Sequence, residues 1–172
     1  MLDLYKSVIA RQYDAALCTL GGGVGRCPDA MWDSAVANLK FCQAVFHALI
    51  FTDLYLGPDV GSLREQGFHR EHSGVFGDYE EFEPRRQAAV YTRPFIELYL
   101  GHCRAKAAAV TAGETAESLA GLSGFERLKF PRAELHVYNI RHVQHHAAQL
   151  SLRLRLDTGD GVAWVGSGWR EL

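Results

Sequence analysis

Apolar residues recur at three- and four-residue steps in four separate stretches of this chain, and that spacing predicts four amphipathic helices. In the first, Leu4, Val8, Ile9, Ala16 and Leu17 mark a helix from residue 2 to about 19, which Gly21-Gly22-Gly23 is expected to end. Pro28-Asp29 then opens a turn, with Asp29 or Asp33 available to cap a second helix that runs to Leu56 and stops at Gly57-Pro58. Its apolar positions, among them Val36, Leu39, Phe41, Val45, Phe46, Leu49 and Ile50, go most of the way round the helix, so it is expected to be buried. Thr92 as N-cap and Pro94 in the first turn begin a third helix to about Ala112, with Phe95, Leu98, Tyr99, Cys103, Ala107 and Val110 in register. The fourth covers residues 134–157, a segment without Pro or Gly in which Leu135, Tyr138, His142, His146, Leu150 and Leu154 share a face. These elements predict an all-α, four-helix-bundle domain over residues 1–172, with a long loop between helices 2 and 3 and an irregular C-terminal tail. Trp164 and Trp169 are expected to pin that tail.

Histidine changes the picture. On a helix turning by roughly 100° per residue, His142 and His146 lie about 40° apart on one face and one turn apart, so both can grip a single ion. His145 lies roughly 60° to the other side of His142 and is poorly placed to join them. Two ligands are incomplete for zinc and similar ions, which take at least three from the protein. His47 sits in the middle of the apolar second helix. Alone it reads as a core histidine bonded to a carbonyl; beside the His142 and His146 pair it is the natural third ligand. Three imidazoles leave a tetrahedral position open, as catalytic rather than structural zinc sites do. Gln43, Asn139 and Gln149, each about one turn from a ligand, are candidates to orient the imidazoles from behind. The residue after His142 is Val143, so the H-E-x-x-H pattern of metalloproteases is absent and peptide hydrolysis is not expected.

Residues 57–91 have poor periodicity and frequent Gly and Pro, which predicts a long loop. It packs over the helices or, through its aromatics beside Arg64, Arg70, Arg85 and Arg86, lines a pocket for an anionic small molecule; packing is the preferred reading of this loop. Its His69 and His72 are expected to be solvated, and His102 on helix 3 to lie at the surface or rim. Gly21 to Gly25 follow a helix and lack the G-K-[ST] ending, so they read as a flexible connection and not a phosphate loop. The four cysteines form no C-x-x-C pair and read as buried free thiols, with Cys27 the one expected to be exposed. A net charge of −2 with no basic block argues against nucleic acid as a partner. No apolar run approaches the ~20 residues needed to span a bilayer, and the N-terminus has no leader pattern, so no membrane partner and a cytoplasmic location are expected.

The run Arg141-His142-Val143-Gln144-His145-His146-Ala147-Ala148-Gln149-Leu150 resembles the fourth-helix signature of the DinB/YfiT-like bundles, roughly H-x-x-H-H-x-x-Q-[LI]. The stretch around His47, Ala-Val-Phe-His-Ala-Leu-Ile, resembles their second helix. Carried over by position, the resemblance implies His47, His142 and His146 as ligands of one divalent ion, zinc or nickel. It further implies a transferase that joins a low-molecular-weight thiol to a small electrophilic substrate, and a homodimer. A metal-dependent hydrolase and a non-catalytic metal- or ligand-binding protein are the alternatives.

Overall fold

The computed structural model describes residues 1–171, so the last residue of the expected 1–172 domain lies outside it. Helix dominates throughout, and the fold is all-α apart from one small hairpin. Four long helices carry it: α1 (Leu2–Arg26), α2 (Phe41–Leu56), α6 (Arg93–Gly113) and α8 (Arg132–Thr158), the last preceded by the short α7 (Ala116–Ala120). They close a ring in which α1 touches α6 and α8, and α2 touches the same two. Side-chain pairs fix their directions. Arg104 meets Asp14 while Lys6 reaches the Glu114 carbonyl, so α1 and α6 are antiparallel. Cys103 faces the Leu49 carbonyl and Lys106 the Asp53 carbonyl, so α2 and α6 run parallel.

That parallel pair explains the long stretch between them, because the chain must return the length of a helix before α6 can begin. The stretch is not the loop its composition suggests. It carries α3 (Val60–Arg64), α4 (Gly67–Glu71) and α5 (Ser73–Phe76), each too short to leave a periodic signature. Asp59 caps α3 by accepting from the Ser62 amide. Phe68, Phe76 and Tyr79 stack against Phe46, Tyr99 and one another, so the segment packs onto the helices as expected.

Two boundaries also differ from expectation. The three glycines do not stop α1, which continues to Arg26 and ends before Pro28. At Gly21 the helix runs close to α6, where a Cβ would lie 2.8 Å from Leu100 Cδ2, while a Cβ on Gly23 would make only ordinary contact with Val162. The second helix starts only at Phe41, because Ala35–Val36 and Leu39–Lys40 pair as antiparallel strands β1 and β2 around a two-residue turn. The Thr92 cap and Pro94 are where the sequence places them, the Thr92 hydroxyl accepting from the Phe95 amide. All four cysteines are free and buried, Cys27 included, since α1 extends through the glycines and carries it inside. Val162 and Val165, not Trp164, anchor the tail: Trp164 is 73% exposed, while Trp169 lies under the Arg104 guanidinium.

One clamp sets the height of α8 against α2. Arg132, the first residue of α8, donates to the carbonyls of Leu56 and Gly57 at the C-terminal end of α2, at 3.3 and 3.1 Å. These are carbonyls that a helix end leaves without partners. Glu114 accepts from Arg132 Nε at 2.5 Å and holds the guanidinium in place. Running antiparallel from that clamp, α8 reaches His142 after ten residues and α2 reaches His47 ten residues back from Gly57. At ~1.5 Å per residue, both imidazoles stand about 15 Å from the clamp, at one level. Among the described residues, no helix is long and apolar enough to cross a membrane.

Candidate metal centre

At that level His47, His142 and His146 meet. One ring nitrogen from each lies within 4.8 Å of the other two. The ring centroids are 5.4 Å apart for His47 and His142, 4.8 Å for His47 and His146, and 4.7 Å for His142 and His146. The Nε2 atoms of His142 and His146 are 3.2 Å apart. Two nitrogens bound ~2.0–2.1 Å from a tetrahedral ion stand roughly 3.3 Å apart, so this pair already has ligand spacing. The His47 nitrogen lies within 4.8 Å of both. His47 Nδ1 and His142 Nδ1 are buried with no hydrogen-bond partner, so these rings are not held by the carbonyl contacts that ordinary core histidines make. No Asp or Glu joins the three imidazoles among the described residues.

Electrostatics favours neutral rings. Burial, reinforced by the field of His146, pushes His47 down to about 4. Burial and then the fields of His146, His47 and His145 push His142 down to about 3. His146 is also lowered, by burial and then by His145, against an opposing hydrogen bond with Gln149. All three therefore offer lone pairs at neutral pH without competition from protons. The walls are aromatic. Phe51 lies 4.7 Å from the His47 ring and 5.6 Å from that of His142, and Tyr55 and Phe82 pack against Phe51 in turn. Tyr138, one turn before His142, meets Tyr55 edge-on.

The residues expected behind the ligands divide. Gln149 Oε1 lies 3.0 Å from His146 Nδ1. Gln43 is committed elsewhere: its Oε1 accepts from the Lys40 amide at the start of α2, and its Nε2 donates to the carbonyls of Gln87 and Ala89. It points toward the strap between α2 and α6 and does not touch His47. Asn139 donates to the Thr52 carbonyl at 3.0 Å and braces α8 against α2, again without reaching a ligand. His145 stays outside the three-ring cluster, and His72 and His102 do not join it.

A second polar cluster escaped the sequence. Asp53, fully buried on α2, accepts from His69 Nε2 at 2.7 Å, the Tyr99 hydroxyl at 2.9 Å, Gln66 Nε2 at 3.1 Å and the Lys106 ammonium. His102 Nε2 is 3.7 Å away. The far side of His69 meets the Tyr79 hydroxyl at 2.9 Å. His69 is thus 2% exposed and fully bonded, not solvated. Burial alone would raise the Asp53 carboxyl, but His102, His69 and Lys106 outweigh it and hold the group well below the usual carboxylate range. The signal was present: a lone carboxylate in an otherwise apolar helix needs cationic or donor partners once buried. No protein-family model, curated protein or solved structure matches this chain.

Proposed function

We propose that this chain is a divalent-metal-binding four-helix bundle of the DinB/YfiT-like kind, using His47, His142 and His146 to hold one zinc or nickel ion. We further propose that it transfers a low-molecular-weight thiol to a small electrophilic substrate. The observation that carries the reading is the convergence of three imidazole nitrogens, neutral at physiological pH, from helices about a hundred residues apart in sequence. A divalent ion there supplies a Lewis acid that stabilises a thiolate, or lowers the pKa of water, at neutral pH. The chain's own contribution is to fix three ligands and leave one side free. Phe51, Tyr55 and Tyr138 would exclude water from that side and pack the apolar part of a substrate.

Thiol transfer is favoured over hydrolysis by the missing carboxylate. Zinc hydrolases of the H-E-x-x-H type use a glutamate as general base, and no Asp or Glu joins the imidazoles among the described residues. A thiolate nucleophile needs no such base once formed. The protein is read as cytoplasmic, and as a homodimer on the support of Val137, Leu152 and Leu156, apolar side chains exposed along α8. The test is metal analysis of the purified protein together with turnover of an electrophile panel. Thiol-dependent turnover is expected to vanish on chelation, return with Zn²⁺ or Ni²⁺, and be absent from His47→Ala. Turnover without thiol would establish the hydrolase instead, and bound metal without turnover a binding protein. Failure to retain either ion would sink the proposal.

A further inference from the structure

Taking the metal-binding reading as its basis, we infer that Gln149 and His145 are positioning residues that hold His146 in the single tautomer able to ligate through Nε2. A neutral imidazole carries its proton on one nitrogen and a lone pair on the other, and the partner of one nitrogen decides which. Gln149 Oε1 can only accept, and it lies 3.0 Å from His146 Nδ1. Nδ1 therefore carries the proton, and the lone pair sits on Nε2, the atom that stands 3.2 Å from His142 Nε2. An amide turned end for end would present its NH₂ group to Nδ1, move the proton to Nε2 and close the ligand.

Gln149 is exposed, so its amide needs something to hold it the right way round. His145 supplies the other contact. Its Nε2 lies 3.0 Å from Gln149 Nε2, which can only donate, so a His145 with its lone pair on Nε2 keeps Oε1 turned toward His146, whereas a His145 carrying its proton there would favour the reversed amide. The spacing makes it possible, since His145 and His146 stand four and three residues before Gln149, the two steps that place helix side chains side by side. Neither other ligand has such support, because Nδ1 of His47 and of His142 has no partner. Without an ion, His142 can donate from Nε2 to the lone pair of His146, which fits their separation. His146 is thus set in advance, and His142 must change tautomer when an ion arrives. Adjacent histidines here do different work: one ligates and its neighbour aims the group that aims it.

The test joins a tautomer measurement to a metal affinity, with circular dichroism as a check on folding. Histidine ¹⁵N shifts of the metal-free protein at pH 8 should show His146 protonated on Nδ1, and His145→Ala should produce a mixture of tautomers. Zn²⁺ affinity, read by competition with a chromophoric chelator, should fall ~10–100-fold in Gln149→Leu and several-fold in His145→Ala. Gln149→Glu should retain affinity, because a carboxylate accepts from Nδ1 whichever way it turns. Adding His145→Ala to Gln149→Glu should then change nothing. An Nε2-protonated His146 in the wild type overturns the inference whether or not metal binds. An equal loss from His145→Ala with and without Gln149→Glu also overturns it. An intact Nδ1 tautomer with no Zn²⁺ binding would instead remove the metal-binding reading.

Discussion

Helix α2 feeds two polar clusters from one apolar surface, and they have opposite character. Around Asp53, four groups bond the carboxylate, and His69, the one histidine among them, has a partner on each ring nitrogen. At His47, six residues earlier, three imidazoles crowd together while Nδ1 of His47 and of His142 has no partner. Buried polar groups in folded proteins are nearly always satisfied. In the Asp53 cluster the carboxylate and both His69 nitrogens are bonded and only His102 Nε2, at the rim, lacks a partner, so its centre is holding the fold together. A cluster whose three imidazoles converge with no carboxylate among them, and whose His47 and His142 leave Nδ1 unbonded, is shaped for something from outside. The presence of histidine does not separate the two, since both contain it.

The largest test of this contrast is Asp53→Ala. Removing the carboxylate leaves the Lys106 ammonium largely buried without its counter-ion, and breaking a buried pair in this way costs about 3–5 kcal/mol. Urea unfolding should report that loss, while Zn²⁺ still raises the stability of whatever remains folded. A loss under 1 kcal/mol would mean that the cluster is not structural.

Next in size is the response to metal. An ion that binds only the folded state at 100 times its dissociation constant adds about 2.7 kcal/mol. Thermal unfolding should show this gain for the wild type with Zn²⁺, its disappearance with chelator, and no gain in His47→Ala. A gain that survives His47→Ala would place the ion elsewhere.

Acid should affect the clusters in the same direction over different ranges. Asp53 has its folded pKa below its unfolded one, so its contribution is complete above the carboxylate range near ~4 and is lost as pH falls through and below it. His47 and His142, held down to about 4 and about 3, keep the folded state neutral while the unfolded chain gains protons. Stability of the metal-free protein should therefore start to fall below pH ~6.5. Urea midpoints between pH 7.5 and 3 should show both slopes, and Asp53→Asn should flatten only the more acidic one. The smallest expected effect is at His102, half on the rim and 3.7 Å from Asp53. His102→Ala should cost less than about 1 kcal/mol, against clearly more for His69→Ala.

The same contrast explains what could be read from the sequence. Periodicity located the four long helices, and it brought His142 and His146 together because residues four apart on a helix must share a face. His47 stood out as a polar residue in an apolar helix. Asp53 stands in that helix for the same reason, yet its partners arrive from α4 and α6, and short helices such as α4 leave no repeat to detect. The glycines of α1 misled because a run of them can sit within a helix as well as end it; of these, Gly21 approaches α6 closely, at Leu100. Gln43 and Asn139 lie at sensible spacing from the ligands, but spacing along a helix does not reveal which neighbouring carbonyl claims an amide.

The Arg132 clamp makes the two ten-residue spans, 47–57 and 132–142, a matched pair of rulers. Deleting or inserting one residue in either would slide a histidine by ~1.5 Å and swing it by ~100° round its axis, carrying it off the shared point. The connections outside those spans can lengthen or shorten without moving the meeting place. Descendants of this chain that keep the three-ring cluster should therefore vary in total length while conserving these two counts.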